Sequence, residues 1–569
     1  MNRIIKILGL GLGLLLLLAN VSAQDLEKAR KSLDKLGEVV ISFEHKDIGK
    51  ADVFAKLSID KAEKNGRIVA YANQESFEWF LQQNIPWKYE LHTSEMGDEP
   101  KMWDYFEKNT KAWDAYPTYL SYEALMYDFA VNFPHLCRID TIGILPSGRK
   151  LLSAIISDNV NVDEDEPHFL YTATMHGDET TGYMLLLRLI DHVLNSYESD
   201  ARIKHLVDNT VIHLNPLANP DGTFRGGNNT LALAIRYNGN FVDLNRNYKD
   251  YINGDNPDGN SWQPETIAFM DYAAKYPFVM AANFHGGIEL VNYPWDVKYE
   301  LTADNDWWFM VSKEYADTAK KYANYDGYFT GTGDGSHPGV TNGAGWYITS
   351  GNRQDYMNYF HHCREFTLEV SNTKKPNAST MPYFWDANYF SMLNYWEEVL
   401  FGFRGIVTDS ISGEPLKAKV TLLQHDIDNS FVYSSLPVGN YHRPVKAGTY
   451  SLLFQSPGYC DKIVEHQLIQ DRESKRIDVQ MLTCPASVGQ LTWRGVRFFP
   501  NPVTDFLNVA MEEGVNNAVV EIFSMDGRKV FSEEIHTFSR IDVRDFAQGV
   551  YYVSITESNR SYMYKMVKR

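Results

Sequence analysis

Phe169-Leu-Tyr-Thr-Ala-Thr174 is a near-continuous apolar run. His176-Gly-Asp-Glu179 follows it, and Thr181 to Leu194 then repeats apolar residues at helical spacing. The three stretches predict a buried strand, a tight turn carrying two metal-capable side chains, and a long helix. In open α/β sheets, ligands bind just beyond the carboxyl ends of strands, and the Gly177 turn puts His176 and Glu179 there.

Working outward, further strands are predicted at Leu151 to Ile156, Val211 to Leu214, Phe278 to Phe284 and Phe366 to Val370. Helical patterns such as Pro264 to Lys275 lie between them. Apolar strands separated by helices imply an α/β domain over 101–401, with a doubly covered, mixed, mostly parallel sheet. Residues 24–100 predict a small α+β unit and linker. Its expected strands are Val39 to Phe43 and Arg67 to Ala70, and its expected helices Lys50 to Lys64 and Glu75 to Gln83. His92 to Lys101 is polar, carries Gly97 and Pro100, and suits a linker and cleavage site. Beyond Phe403 the helical patterns stop. Turn signals such as Ser412-Gly413 and Ser456-Pro-Gly458 divide 402–484 into the short strands of a β-sandwich. Strand patterns return over 490–569, at Phe506 to Met511, Val519 to Phe523, Lys529 to Glu534 and Val550 to Ile555, for a second β-sandwich.

The N-terminus addresses the chain. Arg3 and Lys6 precede an apolar run from Leu8 to Ala19, and Val21-Ser-Ala23 supplies small residues for cleavage. That is the pattern of a signal peptide over 1–23, too short for a membrane span. No second spanning run occurs. A net charge of −19 without a dense basic run excludes a nucleic-acid partner. Four cysteines do not make a disulfide scaffold, and no Cys-x-x-Cys provides a thiolate metal site. Cys137 and Cys363 read as core residues. Cys460 and Cys484 flank one β-rich segment, and the sequence leaves their pairing open.

His-x-x-Glu occurs three times, at His92/Glu95, His176/Glu179 and His362/Glu365, so context must choose between them. His92 falls in the polar linker, and His362 enters a strand. Only His176 lies between an apolar strand and a helix. A catalytic zinc site takes three protein ligands and keeps a fourth position open, and two histidines with one glutamate are an attested set. His285 ends the strand Phe278 to Phe284 and completes the set. Asn245 and Arg246 stand side by side and suit a carboxylate. Arg236 is placed to stabilise an oxyanion. Glu369 is a carboxylate in an otherwise apolar strand, which suits a general base acting on the attacking water.

With His176-Gly-Asp-Glu179, Asn219-Pro-Asp-Gly222, Asp243-Leu-Asn-Arg-Asn247, His285-Gly-Gly287, Gly339-Val-Thr-Asn-Gly343, Gln354-Asp355 and Thr367-Leu-Glu369 in order, the chain resembles the zinc metallocarboxypeptidases of the funnelin family. The nearest branch is the regulatory, carboxypeptidase N/E-like one. The resemblance implies one Zn2+ per chain on His176, Glu179 and His285. It implies catalysis by Glu369 and Arg236, with Asn245 and Arg246 gripping the C-terminal carboxylate of a peptide or protein substrate. Tyr347 takes the place of a tyrosine that caps the substrate. Asp296 is placed to meet a basic side chain, which implies a preference for C-terminal Lys or Arg. Arg353, where the branch carries an apolar residue, would oppose that preference. A peptidoglycan stem-peptide hydrolase on the same scaffold and a non-catalytic peptide-binding or adhesive module are the competing readings.

The outer segments carry resemblances too. Residues 24–100 resemble a carboxypeptidase prodomain in size and pattern, and Phe403-Arg-Gly-Ile-Val407 opens what looks like a transthyretin-like domain. Phe498-Phe-Pro-Asn-Pro502, Met525-Asp-Gly527, Gly549-Val-Tyr-Tyr-Val553 and Lys565-Met-Val-Lys-Arg569 resemble the C-terminal sorting domain of type IX secretion. That implies passage through the periplasm, the secretion machinery as a partner, and a destination outside the cell or on its outer surface.

Overall fold

The computed structural model describes residues 23–48, 53–96, 99–106, 113–331, 333–484, 496–511, 518–525, 527–535, 538–557 and 560–569. The expected signal peptide lies outside them but for Ala23. The chain forms two compact units, one ending near Gln480 and the other built mainly from Met481 to Arg569.

The first unit begins with a helix over 23–36 and a four-stranded antiparallel sheet. Its strands are β1 (Glu38–Glu44), β2 (Ser58–Ala62), β3 (Arg67–Asn73) and β4 (Trp87–Glu90), in the order β2-β3-β1-β4. Helix α1 (Gln74–Gln82) starts at Asn73, whose side chain and that of Ser76 cap each other's backbone amides. Its Phe77 and Phe80 join Leu33, Ile41, Phe43, Ile68 and Ala70 in the core of this sheet. Among the described residues of the helix expected over Lys50 to Lys64, only Val53–Lys56 is helical, and Ser58 to Ala62 pair with β3 instead. Its register, Ile59 against Ala70 and Ser58 against Tyr71, buries Ile59 in the sheet core, and tertiary pairing overrides a helix-like spacing. His92 is likewise no linker residue: it is fully buried, with Nε2 2.5 Å from Glu38 Oε1.

An eight-stranded sheet follows. Its strands are β5 (Cys137–Ile144), β6 (Lys150–Ile156), β7 (His168–Ala173), β8 (Val211–Asn215), β9 (Phe278–His285), β10 (Glu289–Tyr293), β11 (Val340–Asn342) and β12 (Arg364–Val370). The order is β11-β10-β12-β9-β7-β8-β6-β5. The centre, β12-β9-β7-β8, is parallel, and antiparallel pairs appear toward both edges. Alternate residues serve opposite faces. Phe169 and Tyr171 of β7 and Met280, Ala282 and Phe284 of β9 pack with helices Tyr119–Asn132, α2 (Thr181–Ser196), α3 (Asn305–Tyr322) and Met381–Glu397. Leu170 and Ala281 face the other way, toward Phe269 and Tyr272 of Pro264–Lys275 and Tyr356 of α4 (Arg353–His361). Both faces are covered, so the strands are apolar along their whole length. Each fully buried leucine of α2, such as Leu186 and Ile190's neighbour Leu189, contributes about 1.5–3 kcal/mol by leaving water.

After Phe401 come two packed sheets, one of Gly402–Asp409, Asn440–Arg443, Ser474–Arg476 and Val479–Met481, the other of Val432–Tyr433, Lys419–Leu422, Gly448–Gln455 and Lys462–Ile469. A buried ion cluster fastens them to the α/β domain. Asp304, which precedes α3, meets Arg364 at 3.2 Å, Arg443 at 3.0 Å and His425 at 2.9 Å.

The second unit is a separate β-sandwich. One sheet is Val496–Phe499, Phe506–Met511 and Phe538–Asp542; the other is Lys529–Ile535, Ala518–Ser524, Gly549–Glu557 and Arg560–Lys568. Leu507, Val509, Val520, Ile522, Val553 and Ile555 fill the space between. Cys460 and Cys484 form a disulfide in this unit, while Cys137 and Cys363 are free and buried. Among the described residues, no helix is long and apolar enough to cross a membrane.

Candidate active site

The carboxyl ends of β7, β9 and β12 lie side by side and deliver the candidate residues. His285 ends β9, directly opposite Glu369 in the parallel register with β12. The chain leaving β7 turns at Thr174, whose φ of +64° is unusual for a β-branched residue. Its hydroxyl donates to the Pro216 carbonyl at 3.2 Å, which holds the turn. At Gly177 a Cβ would lie 2.4 Å from the Gly222 carbonyl carbon and 2.5 Å from the Thr223 nitrogen. Only glycine allows that approach, and the approach sets His176 and Glu179 facing His285.

The three are buried, and their ligand atoms lie within 4.8 Å of one another. His176 Nδ1 is 3.0 Å from Glu179 Oε1, His285 Nδ1 is 2.7 Å from Glu179 Oε2, and the two histidine Nδ1 atoms are 3.1 Å apart. Four-coordinate zinc, with bonds of about 2.0–2.1 Å to nitrogen and oxygen, separates its donors by about 3.3 Å. Two imidazole nitrogens facing each other beside a carboxylate satisfy one another poorly, whereas one cation satisfies all three. The donor set therefore fits zinc. His176 is backed on Nε2 by Asp243 Oδ1 at 3.0 Å, which orients its ring. Burial pushes the Glu179 carboxyl up, but His176, Lys374 and His285 outweigh it and hold it well below the usual range.

Glu369 has a buried Oε2 with no hydrogen-bond partner. Burial, and then the Glu179 and Asp60 carboxylates, push its pKa well above the usual value against the pull of Lys374 and Arg236. Arg246 is buried and turns Nη1 to the Asn245 carbonyl at 2.8 Å. The Asn245 side-chain oxygen accepts from the Arg353 amide at 3.0 Å, which leaves its NH2 group as the donor open to a ligand. Arg236 forms a two-point contact with Asp243, from Nε and Nη2 at 3.1 Å each, and its Nη1 is 3.1 Å from His176 Nδ1.

His176, Glu179, His285, Arg236, Asn245, Arg246, Tyr347 and Glu369 thus line one cavity. Asp296 lies outside that lining, buried beneath α4. Its Oδ1 accepts from Asn292 at 3.0 Å and from Gln354 at 3.2 Å. Arg353 departs from expectation. It is buried with Nη2 2.9 Å from Glu365 and Nη1 2.6 Å from the Thr172 hydroxyl, so its charge is neutralised within the sheet and opposes nothing at Asp296. The same pair accounts for Glu365, and His92 and His362 bond Glu38 and the Asn429 carbonyl. Neither of the other two His-x-x-Glu pairs clusters as a metal site.

The cavity also contains residues that the sequence reading passed over. Strand β2 enters it from the N-terminal sheet. The Ile59 carbonyl accepts from Arg246 Nη2 at 3.0 Å, Ser58 Oγ accepts from Arg236 Nε at 2.6 Å, and Asp60 Oδ1 lies 2.6 Å from Lys374 Nζ. Tyr347 packs against the core of the same N-terminal sheet. Glu38 reinforces the contact by accepting from the backbone amides of Arg236 at 3.0 Å and Tyr237 at 3.2 Å. What remains of the cavity is about 30 Å³, room for a water and not for an amino-acid residue.

Comparison with known proteins places these residues in context. The zinc carboxypeptidase family matches residues 122–391, and the secretion system C-terminal sorting domain matches residues 497–569. Mouse (Mus musculus) carboxypeptidase M is 32% identical over 357 residues, covering 59% of this chain and 77% of that protein. The mouse carboxypeptidase N catalytic chain is 33% identical over 379 residues, covering 60% and 80%. Human (Homo sapiens) carboxypeptidase D is 33% identical over 347 residues, or 59% of this chain, and the match spans only 25% of that longer protein.

Proposed function

The chain belongs to the zinc carboxypeptidase family, and from that premise we propose that it is a secreted metallocarboxypeptidase preferring C-terminal Lys or Arg. The observation that carries the activity is the meeting, in one cavity, of three metal donors, an unpaired Glu369 oxygen and the Asn245–Arg246 pair.

His176, Glu179 and His285 hold the zinc, which when bound supplies a Lewis acid at the reacting carbonyl. Arg246 and the Asn245 amide bind the substrate's terminal carboxylate, which is absent from internal peptide bonds, so the enzyme removes end residues. Arg236 donates to the scissile carbonyl oxygen as negative charge grows on it. Glu369 Oε2 takes a proton from the attacking water and passes it to the departing amine. Tyr347 covers the bound residue.

The preference for a basic end rests on unpaired acceptors. Gln354 Oε1 and Asn292 Oδ1 are buried with no partner, beside the buried Asp296 carboxylate. Burial pushes the Asp296 pKa up to about 6, as expected of a carboxylate without its cation. Two amide oxygens and a carboxylate match the donors of a lysine or arginine side chain and leave those of an apolar one unmet.

Residues 24–100 act in this reading as a prodomain that keeps the enzyme latent, because β2 occupies the arginines that substrate needs. Residues 402–484 form the transthyretin-like domain, and the C-terminal domain directs type IX secretion to the cell surface or beyond. The test is a mixed peptide library incubated with the processed protein and read by mass spectrometry. Loss of single C-terminal Lys or Arg residues, abolished by a chelator and restored by zinc, is expected. Trimming of muropeptides alone would replace this reading with a stem-peptide hydrolase, and binding without turnover would replace it with a peptide-binding module.

A further inference from the structure

Lys374 has no part in the chemistry described above, yet it is the most constrained lysine at the site. Its side chain is 4% exposed. Nζ lies 2.7 Å from Glu179 Oε1 and 2.6 Å from Asp60 Oδ1. The backbone around it is tied to both ligand-bearing loops. The Lys374 carbonyl accepts from the Thr180 amide at 2.9 Å, one residue beyond Glu179. The Ser371 carbonyl accepts from the Gly287 amide at 2.7 Å, two residues beyond His285. Gly287 has a φ of +128°, and a Cβ there would lie 3.4 Å from Lys374 Cε, so the loop after His285 leaves space for this side chain.

We propose that Lys374 is a positioning residue of the zinc centre, holding the Glu179 carboxylate in its ligating orientation, and that Asp60 shares its ammonium while the N-terminal unit is in place. A glutamate bound to a metal through one oxygen leaves the other in need of a donor. At Glu179 the ammonium is the nearest full positive charge, since Arg236 Nη1 stands farther away at 3.5 Å. Partners of this kind fix ligand geometry, and their loss typically costs 10–100-fold in metal affinity. When the N-terminal unit departs, Asp60 and the Tyr71 ring, 5.0 Å from Nζ, depart with it. Glu179 then keeps the ammonium to itself, so that activation both opens the cavity and tightens the metal ligand.

The inference rests on the zinc reading of the site, and the experiment separates the two. Zinc dissociation constants are measured on the full chain by competition with a chromogenic chelator for the wild type, Lys374→Met, Lys374→Arg and Asp60→Asn. Visible spectra of the cobalt-substituted proteins report the ligand field. Lys374→Met is expected to weaken zinc about 10–100-fold and to shift the cobalt spectrum. Lys374→Arg restores much of both, and Asp60→Asn binds zinc at least as tightly as the wild type. Wild-type affinity and an unshifted spectrum in Lys374→Met overturn the positioning role while leaving the zinc site standing. A wild type that binds no zinc overturns both. If Lys374→Met does not fold, Lys374→Gln decides by the same two readouts: weaker zinc binding and a shifted cobalt spectrum support the proposal, and wild-type values of both overturn it.

Discussion

The backbone carbonyl of Ile59 receives Arg246 Nη2 at 3.0 Å, on the guanidinium assigned to a substrate's terminal carboxylate. On the proposed reading a strand of the chain itself stands where substrate would bind, and Asp60, next along that strand, is the part of it that a mutation can remove most cleanly. Asp60→Asn removes the carboxylate that meets Lys374 Nζ at 2.6 Å, while Lys374 keeps Glu179 and Arg236 keeps Asp243, so the strand loses one charge-assisted contact of about 1.5–3 kcal/mol. The full chain should gain carboxypeptidase activity, about tenfold or more, while trimmed enzyme from either chain is equally active. Equal activity of the two untrimmed chains would remove Asp60 from the latch.

Glu369→Gln keeps the shape of the side chain and removes the base. Turnover should fall about 10²–10⁴-fold, the range of general acid–base catalysis. Metal content, measured by atomic absorption, should match the wild type, because Glu369 is not among the donors that cluster with His176, Glu179 and His285. Loss of the metal in this variant would show that Glu369 had been given the wrong role.

Asp296→Asn should exchange the preference for basic ends for tolerance of neutral ones. For Lys- and Arg-ended peptides kcat/KM is expected to drop about 10–100-fold, the loss of one charge-assisted hydrogen bond of about 1.5–3 kcal/mol. Peptides ending in Leu or Phe should lose little. A uniform loss across all peptides would mean that Asp296 supports the fold and does not read the substrate.

Asp304 gives a test by pH. Burial raises its pKa, but Arg443, His425 and Arg364 outweigh burial and hold it far below the usual 3.8. A carboxyl depressed by folding stabilises the fold fully above its unfolded pKa, near 3.9, and that stabilisation is lost as pH falls through the lower folded value. Asp304→Asn should cost about 3–5 kcal/mol at pH 7, since buried Arg364 loses its ion-pair partner while Arg443 keeps Asp426. The gap between the melting temperatures of wild type and variant should narrow as the pH is lowered below about 4. A gap that stays constant down to pH 2 would contradict the linkage.

Much of the α/β domain is legible in sequence because its central strands, buried on both faces, are written as unbroken apolar runs such as Phe169 to Thr174. The candidate ligands are legible for the same reason, since polar residues at the ends of such runs stand out. What escapes the sequence is whatever depends on a distant partner. Ser58 to Ala62 has a helix-like spacing until β3 offers it a ladder. His92 looks solvated until Glu38, 54 residues away, receives it. Arg353 looks like a pocket charge until α4 and β12 bring it to Glu365. Lys374, in Ser371-Asn-Thr-Lys-Lys-Pro376, reads as a polar turn, and its one signal is that it follows closely on the strand bearing Glu369.

The cavity of about 30 Å³ left under β2 has a bearing on the cell that makes the protein. A chain bound for the exterior first meets the peptides and protein termini of its own producer. On the proposed reading, with no room for even one residue beside the metal donors, it makes that journey as inert freight. With residues 24–100 acting as the proposed prodomain, the moment and place of their removal determine whose proteins lose their last residue.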